Sequence, residues 1–445
     1  MNGKQIFVYD KRIIDKVIIT LLPIGIFPSI LSLIELYINP MNNNLLHITC
    51  YWGVLFLYFI LLNTKIISII IEDKKNLKGI LKALIIPAIF VILYTFSFFQ
   101  SYFNIEYAVK NYLVNMFFVM NFSLTIYYII KTKAFEKFMN IMVYLIYLCL
   151  PSAIFYVGRM FLSDEPISEK VLIGNMSYMT FANLMLICIL VIVFMFITNR
   201  IENENNCKKV IFCISPIISS VAILISGTRS TSLCIIAMVL SLIIYFIIIK
   251  SKKIFTLILM VAISLSVVFV DIDKTNADRF FGFISNLNSI EYNQETKDEN
   301  ENINEAPITN SDADELGIGS TEYRKYLMSM TFKEFSESKI IGKGPLYFQN
   351  TYEIYPHAPI FELMSDFGTI GLLIFIIAYI TAVIVLFIEG KKKPLYACPL
   401  IYMGTYFPIL FTNHSVYSSL FVSDYIILFY ISFCVIKERI KKNGF

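Results

Sequence analysis

The sequence is poor in charge. Only 16% of its 445 residues are charged, whereas 57% are hydrophobic and the mean hydropathy is +0.69. A soluble domain is about 25% charged and about 45–50% apolar, so this composition excludes a soluble globular protein. Apolar stretches of about twenty residues, long enough to cross about 30 Å of hydrocarbon, recur along the whole chain. The sequence therefore predicts an integral membrane protein.

Twelve apolar stretches have the length and composition of membrane spans. No small-residue cleavage site follows the first of them, which argues against a removable signal peptide. They lie near residues 17–38, 45–64, 83–103, 108–130, 141–162, 175–198, 210–226, 231–249, 254–270, 369–389, 395–412 and 416–436. We predict an all-α polytopic fold with about twelve transmembrane helices.

Lysine and arginine are scarce in alternate loops. About two thirds of the 37 basic residues lie at the two termini and in the loops on one side of the predicted spans. The short loops on the other side hold only Lys110, Arg159, Lys170 and Arg229. By the positive-inside rule both termini are cytoplasmic, and Arg229 and the long loop 271–357 are extracytoplasmic.

The long loop divides the chain into residues 1–270 with helices 1–9, the loop itself at 271–357, and residues 358–445 with helices 10–12. It contains no cysteine, which excludes a disulfide framework there. Residues 291–315 are acidic and nearly devoid of large apolar side chains, so we expect a solvated, flexible insert.

Beyond the insert the sequence predicts ordered elements. The stretch "GSTEYRKYLMSMTFKEFSESK" predicts a helix capped by Ser320 or Thr321. Its predicted apolar stripe consists of Tyr323, Tyr326, Leu327 and Met330. The glycines of "IIGKGPLYFQN" predict a tight turn, which lacks the Lys-Ser or Lys-Thr of a nucleotide-binding loop. In "HAPIFELMSDFG", His357 opens a helix, Pro359 suits its first turn, and Gly368 ends or bends it.

Three cationic or titratable residues converge on the outer face by topology: Arg229, Arg324 and His357. Guanidinium groups bind phosphate bidentately, and histidine is the usual proton acceptor for a hydroxyl nucleophile at neutral pH. The three residues therefore suit catalysis on a lipid-linked diphosphate. The alternatives are that Arg229 snorkels to the interface, that Arg324 is an ordinary surface charge, and that His357 caps its helix.

Three further residues are candidate substrate ligands. Arg159, at the outer end of the fifth span, is a possible third phosphate ligand. Glu362 and Asp366 lie four residues apart on one helix face and are candidates to orient His357 or to contact sugar hydroxyls. The alternative for the two carboxylates is a solvated helix face.

The ordered set of "ILISGTRSTSL", "EYRKYLMSMTFKEFSESKIIGKGPLYF" and "HAPIFELMSDFGTIGLLIF" resembles the O-antigen ligase and polysaccharide polymerase superfamily. In that family an apolar span ends in a Ser-Gly-Ser-Arg-like turn, a loop helix begins with arginine, and histidine opens a later helix. This sequence departs from the pattern at Thr228 and Ser230, where serine and glycine are frequent, and at Ala358, where asparagine often follows the histidine.

The resemblance implies a role for each matching residue. Arg229 and Arg324 match the arginines thought to hold the diphosphate of the donor, and His357 matches the histidine implicated in activating the acceptor hydroxyl. The family implies a GT-C-type glycosyltransferase without metal or cofactor, in the bacterial plasma membrane with an extracytoplasmic active site. The implied partners are an undecaprenyl-diphosphate-linked oligosaccharide, the lipid bilayer, and a flippase and a chain-length regulator of the same pathway. Nucleic acid is not an expected partner.

We therefore predict a surface-polysaccharide polymerase, for a capsule or an O-antigen, and two alternatives stay open. A ligase of the same family would transfer finished glycan to another acceptor. A lipid-linked oligosaccharide flippase would carry charged residues along an interior path. The predicted spans hold few such residues: Glu35 near an outer end and Asp424 in the last span.

Overall fold

The computed structural model describes residues 3–27, 29–38, 46, 48–72, 74–85, 88–89, 92, 105–162, 178–226, 228–249, 258, 320–352 and 354–412. The described part of the chain is helical and contains no strand. The acidic insert 291–315 and the predicted span near 416–436, which contains Asp424, lie outside these residues. Most of the predicted spans near 83–103 and 254–270 lie outside them as well.

The regular elements of the described residues are α-helices. They are α1 (Gly3–Ile26), α2 (Ser29–Ile38), α3 (Val54–Glu72), α4 (Lys75–Ala83), α5 (Ile105–Thr132), α6 (Phe135–Leu162), α7 (Tyr178–Ile197), α8 (Asn206–Ile225), α9 (Arg229–Ile249), α10 (Ser320–Glu337), α11 (Tyr347–Tyr352), α12 (Pro359–Gly390), α13 (Ala397–Tyr406) and α14 (Ile409–Thr412). A π-helical turn, Ile48–Gly53, precedes α3, and 3₁₀ turns lie at Arg200–Asn203 and Pro394–Tyr396.

Seven helical stretches in the described residues are long and apolar enough to cross a membrane. They are Thr49–Glu72, Phe135–Gly158, Met179–Ile197, Asn206–Ile225, Ser230–Ile247, Pro359–Gly390 and Pro394–Thr412. Each overlaps a predicted span, so the helical, membrane-spanning character of the chain is confirmed. The count of twelve and the GT-C architecture stay predictions.

The first predicted span, 17–38, differs from the structure because it is divided between α1 and α2. The backbone N–H of Phe27 donates to Pro23 O at 2.7 Å, and the sequence continues with a second proline at position 28. A proline has no N–H and disfavours helical geometry in the residue before it, which accounts for the break between α1 and α2 at this point.

Helix α7 is the centre of the main bundle. It packs against α6 and α8, and α6 also contacts α1. The sequence of α7, "YMTFANLMLICILVIVFMFI", is apolar around its whole circumference, and most of its residues are buried. A helix without a polar face can lie against lipid or against other helices, and here other helices cover most of it.

A second layer is formed where α13 packs between α9 and α12. Small residues allow close approach: a Cβ added at Gly404 would lie 2.0 Å from Ser241 Oγ, and one at Gly390 would lie 3.3 Å from Ala397 Cα. The Tyr245 hydroxyl donates to Gly390 O at 3.4 Å. Because α9 begins at residue 229 and the α13–α14 segment ends at residue 412, these antiparallel contacts bring the two ends to the same side of the layer.

Helix α10 lies alongside the first part of α12 and runs in the same direction. Near its start, Tyr323 and Leu327 are buried with Ile354 packed against them, and Tyr326 and Met330 belong to the same cluster. This confirms the predicted apolar stripe. Further along, the rings of Phe332 and Phe361 are 5.3 Å apart, centroid to centroid.

Candidate functional site

A glycine crossing joins the end of α10 to α12. The turn after α10 contains Gly342 with φ 80° and Gly344 with φ 109°, and it meets α12 at Gly368, where φ is 62° and ψ −160°. A Cβ at Gly368 would lie 2.5 Å from Ile340 O, and one at Gly342 would lie 2.4 Å from the carbonyl of Asp366. The two backbone segments can approach this closely only because Gly342 and Gly368 have no side chain. The predicted tight turn and the predicted bend at Gly368 are confirmed.

Four backbone hydrogen bonds fasten this crossing. The Lys343 and Gly344 N–H groups donate to the carbonyls of Ser365 and Asp366 at 2.9 and 2.8 Å. In the other direction the N–H groups of Thr369 and Ile370 donate to the carbonyls of Lys339 and Ile340, at 2.8 and 3.1 Å. The non-helical Gly368 exposes backbone groups that the turn then satisfies, so the kink and the turn are one structural unit.

Glu362 and Asp366 are fully buried in α12, each with 0% exposure. Glu362 Oε1 accepts from Gln349 Nε2 at 2.7 Å. Asp366 Oδ1 accepts from the Ser365 hydroxyl at 3.1 Å and from the Phe348 N–H at 3.4 Å. The solvated-face alternative for these carboxylates is therefore wrong, because they bind the α11 segment to α12. Their predicted contact with sugar or with His357 stays a prediction.

A second acidic cluster connects α10, the glycine turn and α11. Glu334 is only 5% exposed; it accepts a hydrogen bond from the Tyr352 hydroxyl, and Lys343 Nζ lies 3.7 Å from its Oε2. Lys343 also pairs with Glu337, which lowers the pKa of Glu337 through a hydrogen bond and charge attraction. Burial, and then the bond to Glu334, raise the pKa of Tyr352. The sequence reading missed this cluster, because its members are brought together only by the packing of α11 on the turn.

Arg324 lies in the first turns of α10 and is half-buried. Its Nη1 donates to the carbonyl of Thr412 at 3.3 Å, across 88 positions of sequence. Thr412 is the last residue of α14, and α14 contacts both α9 and α12. The guanidinium is thus held at the end of the α13–α14 segment, beside the membrane-spanning layer.

Arg229 is the first residue of α9, placed here by its backbone. Before it, the hydroxyls of Ser226 and Thr228 are 2.6 Å apart, and the Ser232 hydroxyl donates to Thr228 O at 3.0 Å. The N-terminus of a helix carries a partial positive charge, so a cation there is unfavourable unless an anion binds nearby. Both interpretations of Arg229, anion binding and snorkelling to the interface, stay predictions.

His357 precedes α12 and has the uncommon positive φ of 56°. Its ring stacks at a tilt on Tyr355, with 4.3 Å between centroids. The N-cap residue of α12 is Ala358, and Pro359 occupies the first turn as predicted. The alternative in which His357 is the helix cap is therefore wrong. The positive φ sets the direction in which the side chain of His357 projects from the backbone.

Helix α14 is the shared neighbour of the elements that carry or follow Arg229, Arg324 and His357. Arg324 contacts the end of α14, α9 begins with Arg229 and contacts α14, and α12 follows His357 and also contacts α14. Arg159 lies near the end of α6, which packs against α7 and α8 in the main bundle. Among the described residues no group of three or more His, Cys, Asp or Glu has the arrangement of a metal site.

The fold is that of a polytopic helical membrane protein. The segments that carry Arg324 and the buried carboxylates of α12 lie against the layer formed by α9, α12 and α13. Residues 214–376 match the protein family described as O-Antigen ligase, just over a third of the chain. The match includes Arg229, Arg324, His357, Glu362 and Asp366, and it confirms the resemblance to the O-antigen ligase and polymerase superfamily. Neither the curated proteins nor the solved structures yielded a match to this chain.

Proposed function

We propose that the protein is a surface-polysaccharide polymerase that transfers a glycan from undecaprenyl diphosphate to a sugar hydroxyl of a lipid-linked repeat unit. The observation that carries the proposal is the O-antigen ligase match, which supports a glycosyltransferase-type activity and spans all three predicted catalytic residues. The reaction is proposed to be inverting and independent of metal, with its site on the extracytoplasmic face.

The two arginines are proposed to bind the diphosphate. Arg324 is anchored at the end of α14, and Arg229 begins α9 at the helix end where N–H groups also favour an anion. The negative charge on the leaving diphosphate grows as the glycosidic bond breaks. Cations fixed at this position would therefore stabilise the transition state more than the ground state.

His357 is proposed to be the general base. The acceptor hydroxyl oxygen forms a bond to the anomeric carbon, the bond from that carbon to the diphosphate oxygen breaks, and the hydroxyl proton passes to the imidazole. Undecaprenyl diphosphate leaves with the electron pair. Attack from the face opposite the leaving group inverts the anomeric centre. The buried state of Glu362 and Asp366 supports a positioning role, in which they hold the segment after His357 against α11.

The proposal is tested by replacing Arg229, Arg324 and His357 singly with alanine in the purified full-length protein. Wild-type protein in liposomes should lengthen lipid-linked glycans without an ion gradient, and each variant should lose most of this activity while keeping its thermal unfolding temperature. Lys333→Ala is a matched control, because Lys333 is an exposed cation on the same helix as Arg324. Full chain lengthening by all three variants would contradict the mechanism, and gradient-dependent transport without lengthening would indicate a flippase.

A ligase is the second candidate, because the matched family is described as O-Antigen ligase. The donor chemistry is the same for both enzymes, and only the acceptor differs. A cell that lacks the protein separates them: loss of a polymerase leaves single repeat units on the final acceptor, whereas loss of a ligase leaves long chains on the carrier lipid.

A further inference from the structure

A polar cavity of about 620 Å³ lies on the face predicted to be cytoplasmic, away from the proposed transferase site. We call it the basic-face cavity, because the loops on this face contain most of the lysine and arginine residues. It is formed by the first turns of α6, the end of α7, the 3₁₀ turn Arg200–Asn203 and the start of α8. Its volume falls in the range of about 300–1,000 Å³ that small-ligand sites occupy. The proposed function does not use this cavity.

The cavity presents two charges of each sign. Arg200 Nη1 donates to Asn140 Oδ1 at 2.8 Å, while Nη2 lies 3.9 Å from a carboxylate oxygen of Glu136. Lys208 Nζ donates to Glu204 Oε2 at 2.8 Å. These ion pairs are partly exposed and therefore contribute little to stability. A ligand carrying both a negative and a positive group could exchange with them without leaving a charge unpaired.

Two further features favour a phosphate in the cavity. Helices α6 and α8 both begin beside the cavity, so two positive helix ends lie near it, together with the negative end of α7. Tyr147 lines the cavity, and its hydroxyl is buried without a hydrogen-bond partner in the described part of the chain. A buried hydroxyl normally has a partner, so this one points to a missing acceptor.

An exposed apolar lane leaves the cavity along α6. Tyr144 lines the cavity and is 70% exposed, and Phe155, eleven positions later and so three turns further on the same helix face, is 71% exposed. Ile154 beside it is 51% exposed. Exposed apolar side chains on a membrane-spanning helix lie against acyl chains, so a lipid whose headgroup enters the cavity can place one chain along this lane.

We propose that the basic-face cavity binds the headgroup of a phospholipid that carries a primary amine. The phosphate lies against Arg200 and Lys208, and it reaches the Tyr147 hydroxyl, which is buried in the unliganded protein, once the Lys208–Glu204 pair opens. The ammonium group lies against the carboxylates of Glu136 and Glu204, and one acyl chain follows the apolar lane. Such a lipid would fasten the turn between α7 and α8 to the start of α6.

The test is a lipid titration of the delipidated full-length protein followed by native mass spectrometry. The probes are phosphatidylethanolamine, phosphatidylcholine and phosphatidylglycerol with identical acyl chains. One copy of phosphatidylethanolamine should bind most tightly, because phosphatidylcholine has no N–H to donate and phosphatidylglycerol has no cation. Equal affinity for the three lipids would overturn the proposal. Equal affinity for phosphatidylethanolamine and for soluble glycerophosphoethanolamine would show that the apolar lane does not bind an acyl chain.

A variant isolates the hydroxyl. Tyr147→Phe should weaken phosphatidylethanolamine binding about tenfold, the effect expected for one hydrogen bond to a charged group. In the absence of lipid its thermal unfolding temperature should equal or exceed that of the wild type, because the removed hydroxyl has no protein partner among the described residues. Tyr326→Phe, on α10 and outside the cavity, is the matched control and should bind as the wild type does. Wild-type lipid affinity in Tyr147→Phe would contradict the assignment.

Discussion

Replacement of Gly368 by alanine should destabilise the glycine crossing and impair transfer. Gly368 has φ 62° and ψ −160°, a region that other residues enter at a cost of about 1–3 kcal/mol. The added Cβ would also lie 2.5 Å from Ile340 O and 2.6 Å from Gly342 N. Both obstacles are backbone atoms, so truncating a neighbouring side chain cannot relieve the contact.

The magnitude follows from these two effects. If the turn moves away to admit the methyl group, it weakens some of the four backbone hydrogen bonds across the crossing, each worth about 1 kcal/mol. With the backbone strain, the total loss is about 3–5 kcal/mol. Because α10 and the start of α12 meet at this crossing, the segments that carry Arg324 and His357 should shift with respect to each other.

The assay compares thermal unfolding in detergent and glycan lengthening in liposomes for Gly368→Ala and Gly158→Ala. Gly158 lies inside α6, and a Cβ there would meet nothing within 4 Å. Alanine at that position should leave activity unchanged and should stabilise the helix by up to about 1 kcal/mol. Wild-type unfolding temperature and activity in Gly368→Ala would refute the reasoning, because a crossing that tolerates a methyl group cannot be fixed by glycine.

Two further predictions concern the cluster around Glu334. Tyr352→Phe removes a hydrogen bond from this buried carboxylate and should cost about 1.5–3 kcal/mol, seen as a lower unfolding temperature; an unchanged temperature would show that the bond contributes nothing. The lowered pKa of Glu337 means that its pairing with Lys343 stabilises the fold above the ordinary carboxyl pKa of 4.5, and that this contribution is lost as pH falls through the lower folded-state pKa. The difference in unfolding temperature between wild type and Lys343→Met should therefore shrink below pH 4.5, and a constant difference down to pH 2 would contradict the pairing.

Local features of the site were predictable because they depend on neighbouring residues. Proline at 359 fixes the first turn of α12, and glycine at 368 permits the backbone to leave helical geometry. The apolar positions of α10 repeat at helical spacing and form the face that is buried. Each of these properties can be read from a window of about ten residues.

Tertiary partners were not predictable in this way. The spacing of Glu362 and Asp366 indicates a shared helix face, yet whether that face is wet or buried depends on Gln349 and Phe348, which approach through a separate helix. The contact of Arg324 with Thr412 likewise joins segments 88 positions apart. Such contacts are set by the packing of whole helices, and no local pattern in the chain encodes them.

The central claim is that Arg229 and Arg324 bind one lipid diphosphate. The most direct measurement is a cryo-EM structure of the full-length protein with undecaprenyl diphosphate bound. We expect both guanidinium groups within hydrogen-bonding distance, about 3 Å, of phosphate oxygens, with His357 facing the same space. A diphosphate bound away from either arginine, or the two arginines on opposite faces of the membrane, would contradict the account.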